Sequence, residues 1–150
     1  MDWLQFINLV IPAFAACLDF GLLIFIRSAC RQLPDREQVA LEQRFLRTFN
    51  RAIPVLASLS VLLILAYALR FTQNSAANHA VWGALFFFSA AVAFSIWLNG
   101  SIDQEIIGWN PEQLPPNWKS VQLRFTITGG LRAVAQLLGF ILICGSVAAH

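Results

Sequence analysis

The chain has 150 residues, 58% of them hydrophobic and only 12% charged, where a soluble domain carries about 25% charged residues. Its formal net charge of +2 is too small to point to nucleic acid, and its basic residues gather mainly in one connecting segment. Composition therefore excludes an ordinary soluble enzyme and favours a single membrane-embedded domain over residues 1–150.

Four apolar stretches carry that reading: roughly Trp3 to Ile26, Ala52 to Leu69, Val81 to Leu98 and Thr126 to Val147. At about 1.5 Å of rise per residue, each covers most or all of a hydrocarbon core about 30 Å thick. The expected fold is all-α, an integral membrane four-helix bundle. The first stretch could pass for a signal peptide, but it has no basic n-region. It carries Asp2 and Asp19 and ends at Arg27 with no small-residue cleavage site, so it is expected to be retained. Pro12 lies inside it and would kink the helix.

The next segment, Asp35 to Asn50, mixes Val39, Leu41, Leu46 and Phe49 with Arg, Glu and Gln. This predicts a short amphipathic helix, lying at the cytoplasmic surface or extending the second span. In the first case Pro54 sits in a first turn, where proline is tolerated. In the second it kinks a continuous helix. Phe71 to Ala80 reads as a short hairpin connection. The third span combines Phe86, Phe87, Phe88 and Phe94 with Ser89, Ala90, Ala93 and Ser95. Small residues let helices approach closely in lipid, and the Phe run is expected to face lipid and neighbouring helices rather than a ligand.

Residues 99–118 predict an extended loop between the third and fourth spans. Trp109 and Trp118 suit an interfacial aromatic belt, and Asn117 is a candidate N-cap. Arg27, Arg31, Arg36, Arg44, Arg47 and Arg51 follow the first span, and Lys119 and Arg124 flank the fourth on the same side. Arg70 stands alone opposite. By the positive-inside rule both termini face away from the cytoplasm.

Cys17, Cys30 and Cys144 show neither C-x-x-C nor metal-ligand spacing and read as reduced, structural thiols. No nucleotide, hydrolase or zinc-protease motif is present, so no cofactor is expected. The candidates for chemistry are polar groups inside the spans, which are costly in lipid. Asp19 lies seven residues before the end of the first apolar stretch and Arg132 six after the start of the fourth. Both are then about 10 Å below the same surface, the depth match that an ion pair needs. Thr128 and Gln136 share a face with Arg132, and Asn99 and Asp103 fall at i, i+4 if the third helix runs on past Gly100. Asn50 and Arg51 open the second span on the same side, and Gly129 and Gly130 leave a thin spot. This cluster reads as a structural salt bridge, as a binding or catalytic pocket, or as Arg132 snorkelling to the headgroups beside a protonated Asp19. A carboxylate metal site of Asp19, Asp103 and Glu105 would lack histidine support.

The ordered set Leu98-Asn99-Gly100-Ser101-Ile102-Asp103-Gln104, Trp109-Asn110-Pro111, Pro115-Pro116-Asn117-Trp118, Arg124-Phe125 and Leu131-Arg132 resembles the anthrone-oxygenase-like membrane proteins, as does Asn50-Arg51-Ala52-Ile53-Pro54. That family is largely a domain of unknown function. The resemblance implies a four-helix membrane protein, and in some relatives cofactor-free oxidation of anthrones by molecular oxygen. It places Asn99, Asp103 and Arg132 at the site, with Asp19 joining them through its expected pairing with Arg132. Many relatives read His-Leu-Arg where this chain has Gly130-Leu131-Arg132, which leaves proton abstraction to Asp103 or Asp19. Two function classes follow. One is a membrane enzyme binding a hydrophobic aromatic small molecule. The other is a non-catalytic bundle that binds a lipophile, forms a homo-oligomer or packs against another membrane protein.

Overall fold

A computed structural model describes residues 3–49, 51–70 and 75–149 of the chain. Helix α1, Trp3–Cys30, runs on through Pro12 and contains a π-helical turn at Leu22–Ile26. Helix α2 is Asp35–Phe49, and α3 is Ala52–Arg70. Helix α4 covers residues 75–107, with a second π-helical turn at Ser95–Asn99, and α5 is Trp118–Ala148. Among the described residues there is no strand, and α1, α3, α4 and α5 are long and apolar enough to cross a membrane.

The connection after α1 closes with tight turns, Gln32 N–H to Ala29 O at 3.2 Å and Leu33 N–H to Cys30 O at 3.1 Å. Asp35 and Glu37 then occupy the first turn of α2 and Arg47 its last, the charge order that the helix dipole favours. Arg51 is a turn residue and α3 starts at Ala52, so Pro54 falls in a first turn and breaks nothing. Asn50 and the 71–74 part of the hairpin connection lie outside the described residues.

Two boundaries differ from the sequence expectation. Helix α4 starts at Ser75 and continues to Ile107, so the first half of the expected loop is helical. Only Gly100 in that stretch is a poor helix former, and one glycine costs a helix about 1 kcal/mol, too little to end it. The break comes at Gly108, whose N–H reaches Gln104 O and Glu105 O. The remaining connection, residues 108–117, is folded on itself. Asn110 Oδ1 accepts from Glu112 N–H at 3.1 Å, an Asx turn, and Gln113 N–H donates to Asn110 O at 3.0 Å. Asn117 does occupy the N-cap position of α5, but its side chain makes no capping bond.

The four long helices pack side by side, α1 against α3 and α5, and α4 against α3 and α5. The main apolar core lies toward the end of the bundle far from α2. It is built from Ile64, Tyr67 and Ala68 of α3, Val81, Ala84 and Phe88 of α4, and Ile143 of α5. The α4–α5 contact depends on Gly139. A Cβ there would lie 2.7 Å from Phe88 Cδ2 and 3.3 Å from Ala84 O. The close-packing small residues are thus Ala84, Ala91 and Gly139, whereas Ser89 faces outward. The Phe run divides, with Phe88 buried in the core and Phe86 exposed. Only 22–28% of each span's most apolar window is buried, and Phe14, Phe25, Leu62, Trp97 and Leu123 point outward. Apolar exposure on that scale needs a lipid environment.

Candidate functional site

Arg132 and Asp19 meet. Nε and Nη2 of Arg132 donate to the two carboxylate oxygens of Asp19, each at 2.7 Å, a fork geometry that fixes both side chains. The Asp19 side chain is 1% exposed, that of Arg132 15%. Eleven residues of α1 follow Asp19 and fourteen of α5 precede Arg132, equivalent to about 16 and 21 Å of helix. Both helices extend well past the ends of the apolar runs, so each member of the pair lies farther from its helix end than those runs suggested.

Beside the pair is a cavity of about 120 Å³, where one water needs roughly 10–15 Å³ on the same measure. All five helices wall it. Helix α1 contributes Asp19, Leu22, Leu23, Ile26, Arg27 and Cys30, and α3 adds Ile53 and Pro54. Ser95 and Asp103 come from α4, and Phe125, Gly129 and Arg132 from α5. Helix α2 roofs it with Glu42, Phe45, Leu46 and Phe49. The rings of Phe45 and Phe49 stack at 5.7 Å, with 17° between planes. Both π-helical turns lie at this level, Leu22–Ile26 just after Asp19 and Ser95–Asn99 opposite Arg132. Such turns are rare and concentrate at functional sites, where the widened turn re-aims side chains.

A guanidinium has five N–H donors, and Asp19 takes two. Nη1 lies 3.5 Å from Ser95 Oγ, at the limit of a hydrogen bond. One face of Arg132 is thus left toward the cavity. Asp103 is buried and its Oδ1 has no hydrogen-bond partner among the described residues. It walls the same cavity as Arg132.

The other expected site residues divide. Asn99 is buried with both amide atoms unpartnered, one turn before Asp103, but is not itself a cavity wall. Gln136 is buried with Oε1 unpartnered, also off the wall. Thr128 turns back onto its own helix, donating to Arg124 O at 2.9 Å. Arg51 is exposed. Glu105 is exposed while Asp19 is committed to Arg132, so the Asp19–Asp103–Glu105 metal site does not assemble. Among the described residues no group of three or more His, Cys, Asp or Glu side chains is placed to hold a metal. Of the two glycines, Gly129 faces the cavity. Trp109 and Trp118 are not walls, and the aromatic lining is Phe45, Phe49 and Phe125.

The roof and its fastening had no sequence signal beyond an amphipathic pattern. Gln43, on the buried face of α2, donates from Nε2 to Ile106 O at 2.9 Å and Trp109 O at 2.8 Å. It thereby satisfies carbonyls freed at the end of α4. Gln38 Nε2 donates to Gln122 Oε1 at 3.2 Å, and Gln122 Nε2 to Glu42 Oε2 at 2.8 Å, tying α2 to α5. Arg36 pairs with Glu112 of the 108–117 connection. Glutamines on an amphipathic helix read as its wet face, but here Gln38 and Gln43 are 8% exposed.

The chain matches no protein-family profile, no curated protein and no solved structure.

Proposed function

We propose that the protein is a multi-pass membrane four-helix bundle that binds one hydrophobic, planar aromatic molecule in the cavity beneath α2. The observation that carries this reading is a guanidinium with only one edge committed, set in a cavity otherwise walled mainly by Leu, Ile and Phe. Ligand sites commonly have this make-up, apolar walls with a few fixed polar groups that set orientation. Rings would lie against Phe45, Phe49 and Phe125, and a phenolic or carbonyl oxygen would accept from Arg132. A salt bridge serving register alone needs neither a cavity beside it nor a second carboxylate on the wall.

Asp103 favours a further step, the cofactor-free oxidation suggested by the anthrone-oxygenase-like resemblance. Asp103 would take a ring-methylene proton and Arg132 would hold the enolate oxygen. Molecular oxygen would convert the carbon to a carbonyl and leave its second oxygen as water. Asp19 is unsuited to the proton step because both of its oxygens already accept from Arg132.

Titrating anthrone into the purified protein in lipid nanodiscs tests both parts. Wild type is expected to bind it, Arg132→Leu to bind at least tenfold more weakly, and Phe87→Leu, off the cavity wall, to bind normally. Asp103→Asn is expected to retain binding and lose oxygen consumption. No binding by wild type, together with stoichiometric co-purification with another membrane protein, would replace this reading with that of an accessory subunit.

A further inference from the structure

A second pocket, of about 150 Å³, lies where the C-terminal end of α1, the buried face of α2 and the N-terminal end of α5 converge. Three cations line it, Arg27, Arg31 and Lys119, against one carboxylate, Glu42. Glu42 is turned onto the amide of Gln122, so its charge is partly spoken for within the wall. Arg27 is held in place. It donates to the Thr126 hydroxyl, and its guanidinium lies 4.1 Å from the centre of the Phe125 ring. The Thr126 hydroxyl in turn donates to Gln122 O at 2.9 Å, so the arrangement is fixed through α5. Arg31 and Lys119 are exposed at the rim.

The start of α5 adds to the positive charge of this region. A helix N-terminus favours acidic residues, because its unpaired N–H groups carry partial positive charge. The first turn of α5 has none, and Lys119 stands there instead. This 31-residue helix therefore opens with its dipole and a side-chain cation reinforcing one another beside two arginines. An anion in the pocket would meet Arg27, Arg31 and Lys119 together, and the planar arginine forks suit the tetrahedral oxygens of a phosphate.

We infer that this pocket between α1, α2 and α5 is a binding site for a phosphate group, carried by an anionic phospholipid headgroup or by free phosphate. It shares Arg27 and Glu42 with the proposed aromatic-ligand site, while Arg31 and Lys119 belong to it alone. Arg31 and Lys119 do not wall the apolar cavity, so either site can fail without the other.

The test is native mass spectrometry of the protein from mixed micelles of phosphatidylcholine and phosphatidylglycerol, with inorganic phosphate as a competitor. Wild type is expected to retain one phosphatidylglycerol in preference to phosphatidylcholine. The double variant Arg31→Gln, Lys119→Gln should retain it at least tenfold less. Arg31→Lys with Lys119→Arg, which keeps both charges, should restore retention and report on any folding defect. Arg44→Gln with Arg47→Gln removes the same charge from the exposed face of α2 and should change nothing. Retention that millimolar phosphate does not displace identifies the headgroup as the source. Phosphate binding that needs Arg31 and Lys119 without preference for phosphatidylglycerol identifies free phosphate. Either result upholds the site. Neither lipid preference nor phosphate binding, or an equal loss in the Arg44→Gln, Arg47→Gln control, overturns it.

Discussion

Arg132 and Asp19 illustrate how much one bidentate contact can decide inside a membrane. Removing one partner leaves a charge in a site built to be neutral, which costs about 3–5 kcal/mol in buried pairs. Asp19→Ala and Arg132→Ala are each expected to lower stability by about that much in detergent unfolding. The double variant should cost clearly less than the sum, by about 1–3 kcal/mol, because no stranded charge remains. Strict additivity would mean that the pair contributes no coupling. This pair was legible from the sequence, since two opposite charges in long apolar runs at matched depth have few other solutions. The fates of Asn99, Gln136 and Thr128 were not. Helical spacing gives the face a residue occupies, but not whether it meets the cavity, a neighbouring helix or its own backbone.

Among the elements, α2 departs furthest from its sequence appearance. Its amphipathic pattern identified a short helix with nearly the right ends. It gave no sign that Gln38 and Gln43 would be buried, because a sequence shows polarity but not the unpaired carbonyls that polarity will meet. At the end of α4, Ile106 O and Trp109 O supply those partners. Gln43→Leu keeps the size and removes the donor, and unsatisfied carbonyls cost about 1–3 kcal/mol. Hydrogen exchange is expected to rise across both 35–49 and 104–109 in this variant, with the spans unaffected. Faster exchange confined to α2 alone would show that Gln43 does not couple the two elements. The π-helical turns were also hidden, because one inserted residue shifts the hydrophobic period too little to register in a run this apolar, whereas the Asn99/Asp103 spacing had left the extension of α4 past Gly100 open.

For the whole molecule, the number of apolar helices was the most legible property of all, since hydropathy over about 20 residues decides it almost alone. Orientation is the larger-scale claim still to be measured. Eight Lys and Arg flank the α2 side of the bundle and only Arg70 flanks the other. Reporter fusions after Arg36 and Gln113 are therefore expected to report cytoplasm, and those after Ala76 and His150 the opposite side. A cytoplasmic signal from the C-terminal fusion would reverse the assignment.

Gly129 offers the most direct measurement of whether the cavity beside Arg132 takes a ligand. This residue walls the cavity, and a Cβ built on it meets nothing within 4 Å. A side chain at Gly129 therefore starts in open space on the cavity wall, and Gly129→Leu exchanges a poor helix former for a good one, a gain of about 0.8 kcal/mol. Thermal stability in nanodiscs is expected to stay level or rise while anthrone affinity falls at least tenfold against wild type. Unchanged affinity in a stable Gly129→Leu protein would contradict the account.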